Sequence, residues 1–172
     1  MIVDTRRYTQ ADYLELPEGY PAELIDGMLV KEPSPSYWHQ RIVGEIHLRL
    51  RLLLGPDRVV LSPIDVFVDE QNVLQPDLLV LSERDKGRPG MERVSLPILV
   101  IEVLSPSTAD RDRKEKARIY LRAGVAEVWL VDPETETIEV RTRGGSVTCG
   151  AAEKAESRVV SGFRLSYREL TD

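Results

Sequence analysis

The sequence predicts a single α/β domain built on a mixed sheet with two main helices. Two apolar runs, at residues 98–104 and 128–131, enclose a segment with helix signals from residue 109 to residue 123. A strand, a crossover helix and a second strand imply parallel pairing with a right-handed connection. Earlier in the chain, apolar residues recur at helical spacing from 37 to 54, which predicts the first long helix.

The N-terminal part of the chain predicts two small elements before that helix. Thr9 is a typical N-cap, so a short helix should begin there. Residues 22–30 contain two apolar runs around Asp26-Gly27, a dipeptide typical of a hairpin turn. Ser36 is a candidate N-cap for the long helix, and Gly55 marks its end.

The rest of the chain predicts short strands and loops. The strands are expected at residues 59–62, 64–68, 75–81 and 163–167. Residues 82–95 are charged and rich in glycine and proline, so we expect an exposed loop there. Residues 133–136 predict the turn of a hairpin, and residues 144–157 form a polar stretch with no strand signal.

Length, composition and charge limit the class of protein. With 172 residues, of which 42% are hydrophobic and 30% charged, the chain fits one soluble globular domain. Cys149 is the only cysteine, which excludes a disulfide within the chain. No apolar run approaches the ~18 residues of a membrane span, and the N-terminus lacks a signal-peptide core, so we expect a cytoplasmic protein. The net charge of −6 argues against a protein that coats nucleic acid, but it permits an enzyme with a local basic patch.

Two carboxylates stand where buried strands should carry apolar residues. Asp77 lies at the mouth of one predicted strand, and Glu102 interrupts the apolar run at residues 98–104. An ionised carboxylate inside a buried strand is costly unless it is paired or bound to a metal. Two carboxylates at neighbouring strand ends would suit Mg²⁺ with waters and phosphate oxygens. The plainer alternatives are a turn residue for Asp77 and, for Glu102, a buried carboxylate neutralised by an arginine or by hydrogen bonds.

A basic partner for these carboxylates is expected on the helix at residues 109–123. With about 100° per residue, this helix turns Ala117 and Tyr120 inward. Lys114 and Lys116 then lie on opposite flanks of the inward face, so periodicity does not choose between them. Most lysines on such a helix are simply solvated.

The ordered motifs resemble a known group of nucleases. Pro76-Asp77 followed by Glu102-Val103-Leu104 looks like the signature of the PD-(D/E)XK nuclease superfamily, except that Leu104 stands where a lysine is usual. In some branches of that superfamily the lysine lies instead on the helix behind the motif. From residue 9 to residue 167, the chain is similar to the large bacterial Uma-type family of putative restriction endonucleases. The similar segments are residues 23–27, 39–40, 75–77, 102–106, 112–116, 120, 124–125 and 127–129.

The resemblance implies a restriction-endonuclease-like core and a divalent-metal-dependent endonuclease that hydrolyses DNA phosphodiester bonds. By this resemblance, Asp77 and Glu102 ligate Mg²⁺ or Mn²⁺, and the main-chain carbonyl of Val103 completes the metal shell. Glu23 matches an early acidic position of the family and would be a further ligand. Lys116 takes the place of the catalytic lysine, which orients the attacking water or stabilises charge on the phosphate.

Several alternatives stay open at this point. Glu23 is equally well explained as a hairpin carboxylate held by a local arginine. His39, in the first turn of the long helix, either touches the site or only caps and packs. The competing function is a catalytically inactive nuclease-like module for nucleic-acid binding or assembly, and a third is a dimeric structural domain with a buried ion pair at Glu102. The nuclease hypothesis predicts a homodimer, and it predicts that Asp77, Glu102 and Lys116 converge on one open pocket.

Overall fold

The computed structural model describes residues 6–17, 19–31, 33–88 and 94–171, so part of the predicted loop at residues 82–95 lies outside it. Within these ranges the helices are α1 (Gln10–Leu14), α2 (Tyr37–Leu54), α3 (Ala109–Arg111), a π-helical turn (Asp112–Lys116), α4 (Ala117–Ala123) and a 3₁₀ turn (Arg168–Leu170). The strands are β1 (Ala22–Ile25), β2 (Met28–Lys31), β3 (Val59–Leu61), β4 (Val66–Asp69), β5 (Asn72–Leu74), β6 (Leu78–Val80), β7 (Leu99–Val103), β8 (Glu127–Asp132), β9 (Thr137–Thr142), β10 (Gly145–Cys149), β11 (Ala155–Glu156) and β12 (Arg164–Leu165).

The central sheet is mixed and has the strand order β10-β9-β8-β7-β6-β3. β7 and β8 are parallel, whereas the neighbouring pairs on either side of them are antiparallel. The helical segment from α3 to α4 makes the crossover between the parallel strands, as the strand–helix–strand pattern predicts. The predicted α/β class with a mixed sheet is therefore confirmed.

Each face of the central sheet is covered, and each face carries one main helix. α2 packs Ile42, Ile46 and Leu50 against one face, and all three are fully buried. On the other face, Ala117 and Tyr120 of α4 belong to a second apolar cluster. β7 and β8 are buried along their whole length. Burial on both faces explains why their sequences are continuous apolar runs.

A second, antiparallel sheet with the order β2-β1-β5-β4 carries the remaining part of the candidate site. Its β1–β2 hairpin turns at Asp26 and Gly27, whose φ angles of 45° and 77° both lie in the left-handed region, as a tight two-residue hairpin requires. Val66 and Leu74 of this sheet join the apolar cluster around α4. This packing brings Glu23 of β1 over the helix and the central sheet.

The structure differs from the sequence expectations at several strands. β5 is a separate strand, and residues 75–77, predicted to be strand, precede β6 without strand structure. The polar stretch at residues 144–157 contains β10 and β11. β10 pairs with β9 at the edge of the sheet and is exposed over most of its length, so its sequence lacks the apolar alternation that marks a half-buried strand. In the ranges described, no helix is both long enough and apolar enough to cross a membrane.

Candidate functional site

The antiparallel pairing of β6 and β7 places Asp77 and Glu102 side by side. Leu78 pairs with Ile101, so Asp77, just before β6, lies next to Glu102 near the end of β7. The Asp77 N–H donates to Glu102 Oε2 at 3.3 Å, and the Val103 N–H donates to Asp77 Oδ2 at 2.8 Å. The two carboxylates predicted as a pair are thus neighbours at one edge of the sheet.

The side chain of Lys116 joins this edge to the second sheet. Its Nζ lies 2.9 Å from Glu102 Oε1 and 3.0 Å from Glu23 Oε1, with Asp112 Oδ1 at 3.7 Å. The lysine side chain is only 4% exposed. Glu23 also accepts a hydrogen bond from the Gln75 N–H. The ion partner of Glu23 and of Glu102 is therefore a lysine and not an arginine, and Glu102 also accepts a hydrogen bond, as the plainer alternative for it allows.

The π-helical turn explains which lysine faces inward. A π turn inserts one residue into an α-helix and so changes the direction of the side chains before it relative to those after it. Here Asp112 and Lys116 are buried together with Ala117 of α4. Lys114 points to solvent, with its side chain 72% exposed and paired with Asp110 at 3.2 Å. Regular helical geometry left the two lysines equivalent because it does not include the extra residue.

His39 contacts the site from α2. The Ser36 hydroxyl caps this helix by accepting from the His39 N–H at 3.2 Å. The His39 ring places Nε2 at 3.2 Å from Asp77 Oδ2, with the two side chains 11% and 21% exposed. Burial lowers the pKa of His39, but the hydrogen bond and charge of Asp77 and a hydrogen bond to the main chain of Val103 outweigh it, so the pKa is raised. Of the two alternatives for His39, the structure supports contact with Asp77.

The charges at this edge are unequal. The described residues here include the carboxylates of Glu23, Asp77, Glu102 and Asp112 with one lysine, Lys116. Burial raises the pKa of Glu102 well above its usual value, and although Lys116 opposes this, the carboxylates of Asp77, Asp112 and Glu23 add to it. Burial lowers the pKa of Lys116, but Glu102 and Glu23 outweigh it, so the amine keeps its charge. Carboxylates therefore outnumber amines at this edge, and the raised pKa of Glu102 favours a proton on that carboxyl group, which a metal cation would replace.

Two residues of the cluster were not assigned a role from sequence. The Tyr120 hydroxyl donates to Glu102 Oε1 at 3.3 Å, whereas the sequence indicated only an inward-facing core residue. Burial, opposed by Lys116, raises the pKa of Asp112. A signal for Asp112 was present in the sequence, because an acid four residues before a lysine places both on one side of a helix.

The cluster is more closed than the nuclease hypothesis predicts. Glu23, Glu102 and Lys116 are 0%, 3% and 3% exposed, so Asp77 is the more accessible carboxylate. An open concave surface of about 780 Å³ lies elsewhere, between β9, β10 and residues 154–158. The predicted residues converge, but around a buried amine and not in an open pocket.

The donor atoms at this edge fit a hard divalent cation. Mg²⁺ takes oxygen ligands, commonly one or two carboxylates with waters, and Asp77 and Glu102 supply two. Glu23 Oε2 is buried and has no hydrogen-bond partner in the described part of the chain. Across that same part, no three His, Cys, Asp or Glu side chains are grouped as metal ligands. Asp77 and Glu102, with the main chain and water, would therefore be the main ligands of a metal here, and the unpartnered Glu23 Oε2 would be a further one.

Comparison with known proteins identifies the family. Residues 10–167 match the model of the Uma2 family, described as "Putative restriction endonuclease". The chain belongs to this family. An "Uncharacterized protein sll1609" from a Synechocystis strain is 27% identical over 126 residues, which cover 70% of this chain and 71% of that protein. A crystal structure of a putative nuclease of the DUF820 group from Anabaena variabilis superposes with a TM-score of 0.82 at 22% identity, covering 94% of this chain and 96% of that one.

These matches confirm the resemblance and the fold inferred from the sequence. The structural match shows a nuclease-like fold, and the Uma2 family supports a nuclease-like function with nucleic acid as the class of substrate. Restriction-endonuclease-like proteins generally use divalent metals. The individual roles of Asp77, Glu102, Val103, Glu23 and Lys116 stay predictions.

Proposed function

We propose that this chain is a divalent-metal-dependent endonuclease that hydrolyses DNA phosphodiester bonds. The observation that carries the proposal is the excess of buried carboxylates around Lys116, where Glu23 and Glu102 both lie within 3.0 Å of one amine. Perturbed, buried ionisable groups gather at functional sites more often than elsewhere. In a family of nuclease-like proteins, such a cluster beside Asp77 at the strand ends is the natural candidate for the catalytic centre.

The metal would be held by oxygen atoms of this edge. Asp77 and Glu102 would ligate Mg²⁺ or Mn²⁺, the Val103 carbonyl would complete the shell, and Glu23 would be a further ligand. When bound, such an ion neutralises charge on the phosphate and makes water a better nucleophile at neutral pH.

The side chains around these ligands orient them and supply charge. Lys116 fixes Glu102 and Glu23 through its ion pairs, and its positive charge stabilises the negative charge that develops on the phosphate. Tyr120 holds the same oxygen of Glu102 through its hydroxyl. His39 donates to Asp77 and so fixes the orientation of that carboxylate.

The test is cleavage of plasmid and oligonucleotide DNA with Mg²⁺ or Mn²⁺. We expect Asp77→Asn and Glu102→Gln, which keep the shape of the side chains, to lower the rate by about 10²- to 10³-fold, as the loss of one electrostatic contact in an active site does. Lys114→Met is the matched control and should retain activity, because Lys114 is exposed and paired only with Asp110. Equal nicking by all these proteins would show a contaminant and refute the proposal.

A second function is favoured by the burial of the cluster. Glu102 and Lys116 are each 3% exposed, which suits a nuclease-like module that binds nucleic acid or assembles without turnover. This alternative predicts DNA binding without cleavage, and unchanged binding in Asp77→Asn. We also propose a homodimer by analogy with nuclease folds that cut duplexes, and light scattering measures the oligomeric state directly.

A further inference from the structure

The first turn of α2 exposes two large aromatic side chains next to each other. Tyr37 is 82% exposed and Trp38 is 39% exposed. The guanidinium carbon of Arg41 lies 4.9 Å from the centre of the Trp38 ring, a cation–π contact. Single exposed apolar residues are ordinary, but two aromatic residues consecutive in the chain, with an arginine over one ring, offer two separate flat surfaces for planar groups.

The two aromatic residues directly precede the residue of α2 that touches the candidate site. His39 follows Trp38 in the chain, and its Nε2 lies 3.2 Å from Asp77 Oδ2. One helical turn rises only about 5.4 Å, so Tyr37 and Trp38 lie within about one turn of the residue that touches the site. A polynucleotide whose phosphate reaches Asp77 would have its neighbouring nucleotides within reach of this turn.

The charges around the first turn of α2 are compatible with binding of a phosphate backbone. The first turn of this 18-residue helix contains no acidic residue, and the N-terminus of a helix carries partial positive charge. Arg41 adds a full positive charge at the same turn. The chain as a whole carries a net charge of −6, which disfavours binding that depends on many phosphate contacts along a duplex. Binding by base stacking depends less on net charge.

We propose that the first turn of α2 is a stacking platform for unpaired bases, so that the DNA taken by the candidate site is single-stranded or locally unpaired. Aromatic side chains stack on any base, and exposed rings beside a positive charge are how proteins hold single strands without reading sequence. Tyr37 and Trp38 stack on successive bases, while Arg41 holds the Trp38 ring and meets the backbone. The inference rests on the proposed function and gives its substrate class.

Intrinsic fluorescence tests the proposal without cleavage. The chain has two tryptophans, and Trp129 is fully buried, so quenching by added DNA reports Trp38. Glu102→Gln protein without metal is titrated with an oligo(dT) strand and with a duplex of the same length. We expect the strand to quench the fluorescence and to bind more tightly than the duplex. Adding Tyr37→Ala, which leaves Trp38 as the reporter, should weaken strand binding by about 5- to 150-fold.

Leu52→Ala in the same background is the matched control. Leu52 is 79% exposed on the same helix, but it lies about 22 Å along the helix from Tyr37, so strand binding should not change. Duplex binding as tight as strand binding, or unchanged strand affinity in Tyr37→Ala, would overturn the platform. Strand binding that depends on Tyr37 without cleavage by the wild type would support the platform while refuting the endonuclease. Duplex cleavage that Tyr37→Ala does not affect would support the endonuclease while refuting the platform.

Discussion

The π-helical turn contacts two charged clusters, which differ in charge balance. The lysine cluster consists of Lys116, Glu23, Glu102 and Asp112. The arginine cluster consists of Arg113, Arg141, Asp132 and Glu139. The lysine cluster sets one buried amine among three carboxylates, and the charge of Arg111 also acts on Asp112, whereas the arginine cluster joins two guanidinium groups with two carboxylates.

The clusters also differ in the solvent exposure of their side chains and in their contacts with the main chain. The side chains of Arg113 and Arg141 are 29% and 25% exposed, and Arg141 donates to the carbonyl of Arg113 within the π-helical turn. The arginine cluster therefore fixes the backbone with charges that cancel. The lysine cluster buries more carboxylates than amines, and the raised pKa of Glu102 means that the fold favours a proton on it when no other cation neutralises the carboxylate. The imbalance, more than the presence of ion pairs, distinguishes a candidate site from a structural network.

The largest effect should follow from removing the amine of the lysine cluster. Lys116→Met leaves Glu23 and Glu102 buried without a counter-ion, so the free energy of unfolding should fall by about 3–5 kcal/mol. Lys114→Met, the control, should stay within about 0.5 kcal/mol of the wild type, because Lys114 is exposed. Urea denaturation measures both. Equal stability of the two variants would show that the cluster does not depend on Lys116.

A divalent ion should stabilise the protein, because it neutralises carboxylates of the lysine cluster and of the neighbouring Asp77. At an Mg²⁺ or Mn²⁺ concentration 100 times the dissociation constant, we expect stabilisation of about 2.7 kcal/mol. Asp77→Asn should abolish this gain, whereas a variant of the balanced arginine cluster, Glu139→Gln, should keep it. Calorimetry with and without the ion gives the comparison. The same gain in Asp77→Asn would place the ion elsewhere on the protein.

Removing the contacts of Arg141 in the arginine cluster should disturb the lysine cluster, because both clusters contact the π-helical turn. Arg141→Met removes the contacts to Glu139 and to the Arg113 carbonyl, and we expect a loss of about 1.5–3 kcal/mol. The buried Lys116 should then react with acetic anhydride, while the exposed Lys114 reacts in both proteins and serves as the internal reference.

Mass spectrometry of the acetylated peptides reports both lysines. Arg118→Met is the control for loss of an arginine, because the Arg118–Asp26 pair is 42% and 47% exposed. Protection of Lys116 in Arg141→Met would mean that the two clusters are independent.

The last comparison concerns the pH dependence of stability. Because the pKa of Glu102 is raised in the fold, the folded state binds its proton more tightly than the unfolded chain does. Without metal, the free energy of unfolding should therefore fall as pH rises from about 4.3, the unfolded pKa of a glutamate, towards the folded pKa. Glu102→Gln should flatten this part of the wild-type profile measured by urea denaturation. A parallel profile in the variant would assign the slope to other groups.

The elements that the sequence predicts are those with local signals. The hairpin at Asp26 and Gly27 follows from turn chemistry, and α2 follows from its apolar spacing and the Ser36 cap. β10 has no such signal, because its five residues are mostly exposed and only pairing with β9 makes it a strand. β5 has three residues and joins a turn, too short to show a period.

The contacts of the candidate site also divide into those with a local sequence signal and those that depend on how distant elements pack. Asp77 and Glu102 were predictable as neighbours for two reasons. A carboxylate in an apolar run is costly unless it is paired, and the two strands follow each other in the sequence. The contact of Glu23 with Lys116 depends on how the second sheet packs on the first, which leaves no local pattern. The approach of His39 to Asp77 likewise depends on where α2 crosses the sheet.

The directions of the side chains on the two sides of the π-helical turn depend on the number of residues in that turn. Deleting one residue from this turn, for example Glu115, would restore an ordinary α-helix and turn the side chains on its two sides by about 100° relative to each other. A gap-free alignment with a protein whose helix is regular at this point would put the lysine in the wrong column. One insertion or deletion in this turn thus changes which residues before α4 face Glu102, with every strand residue of the site left in place.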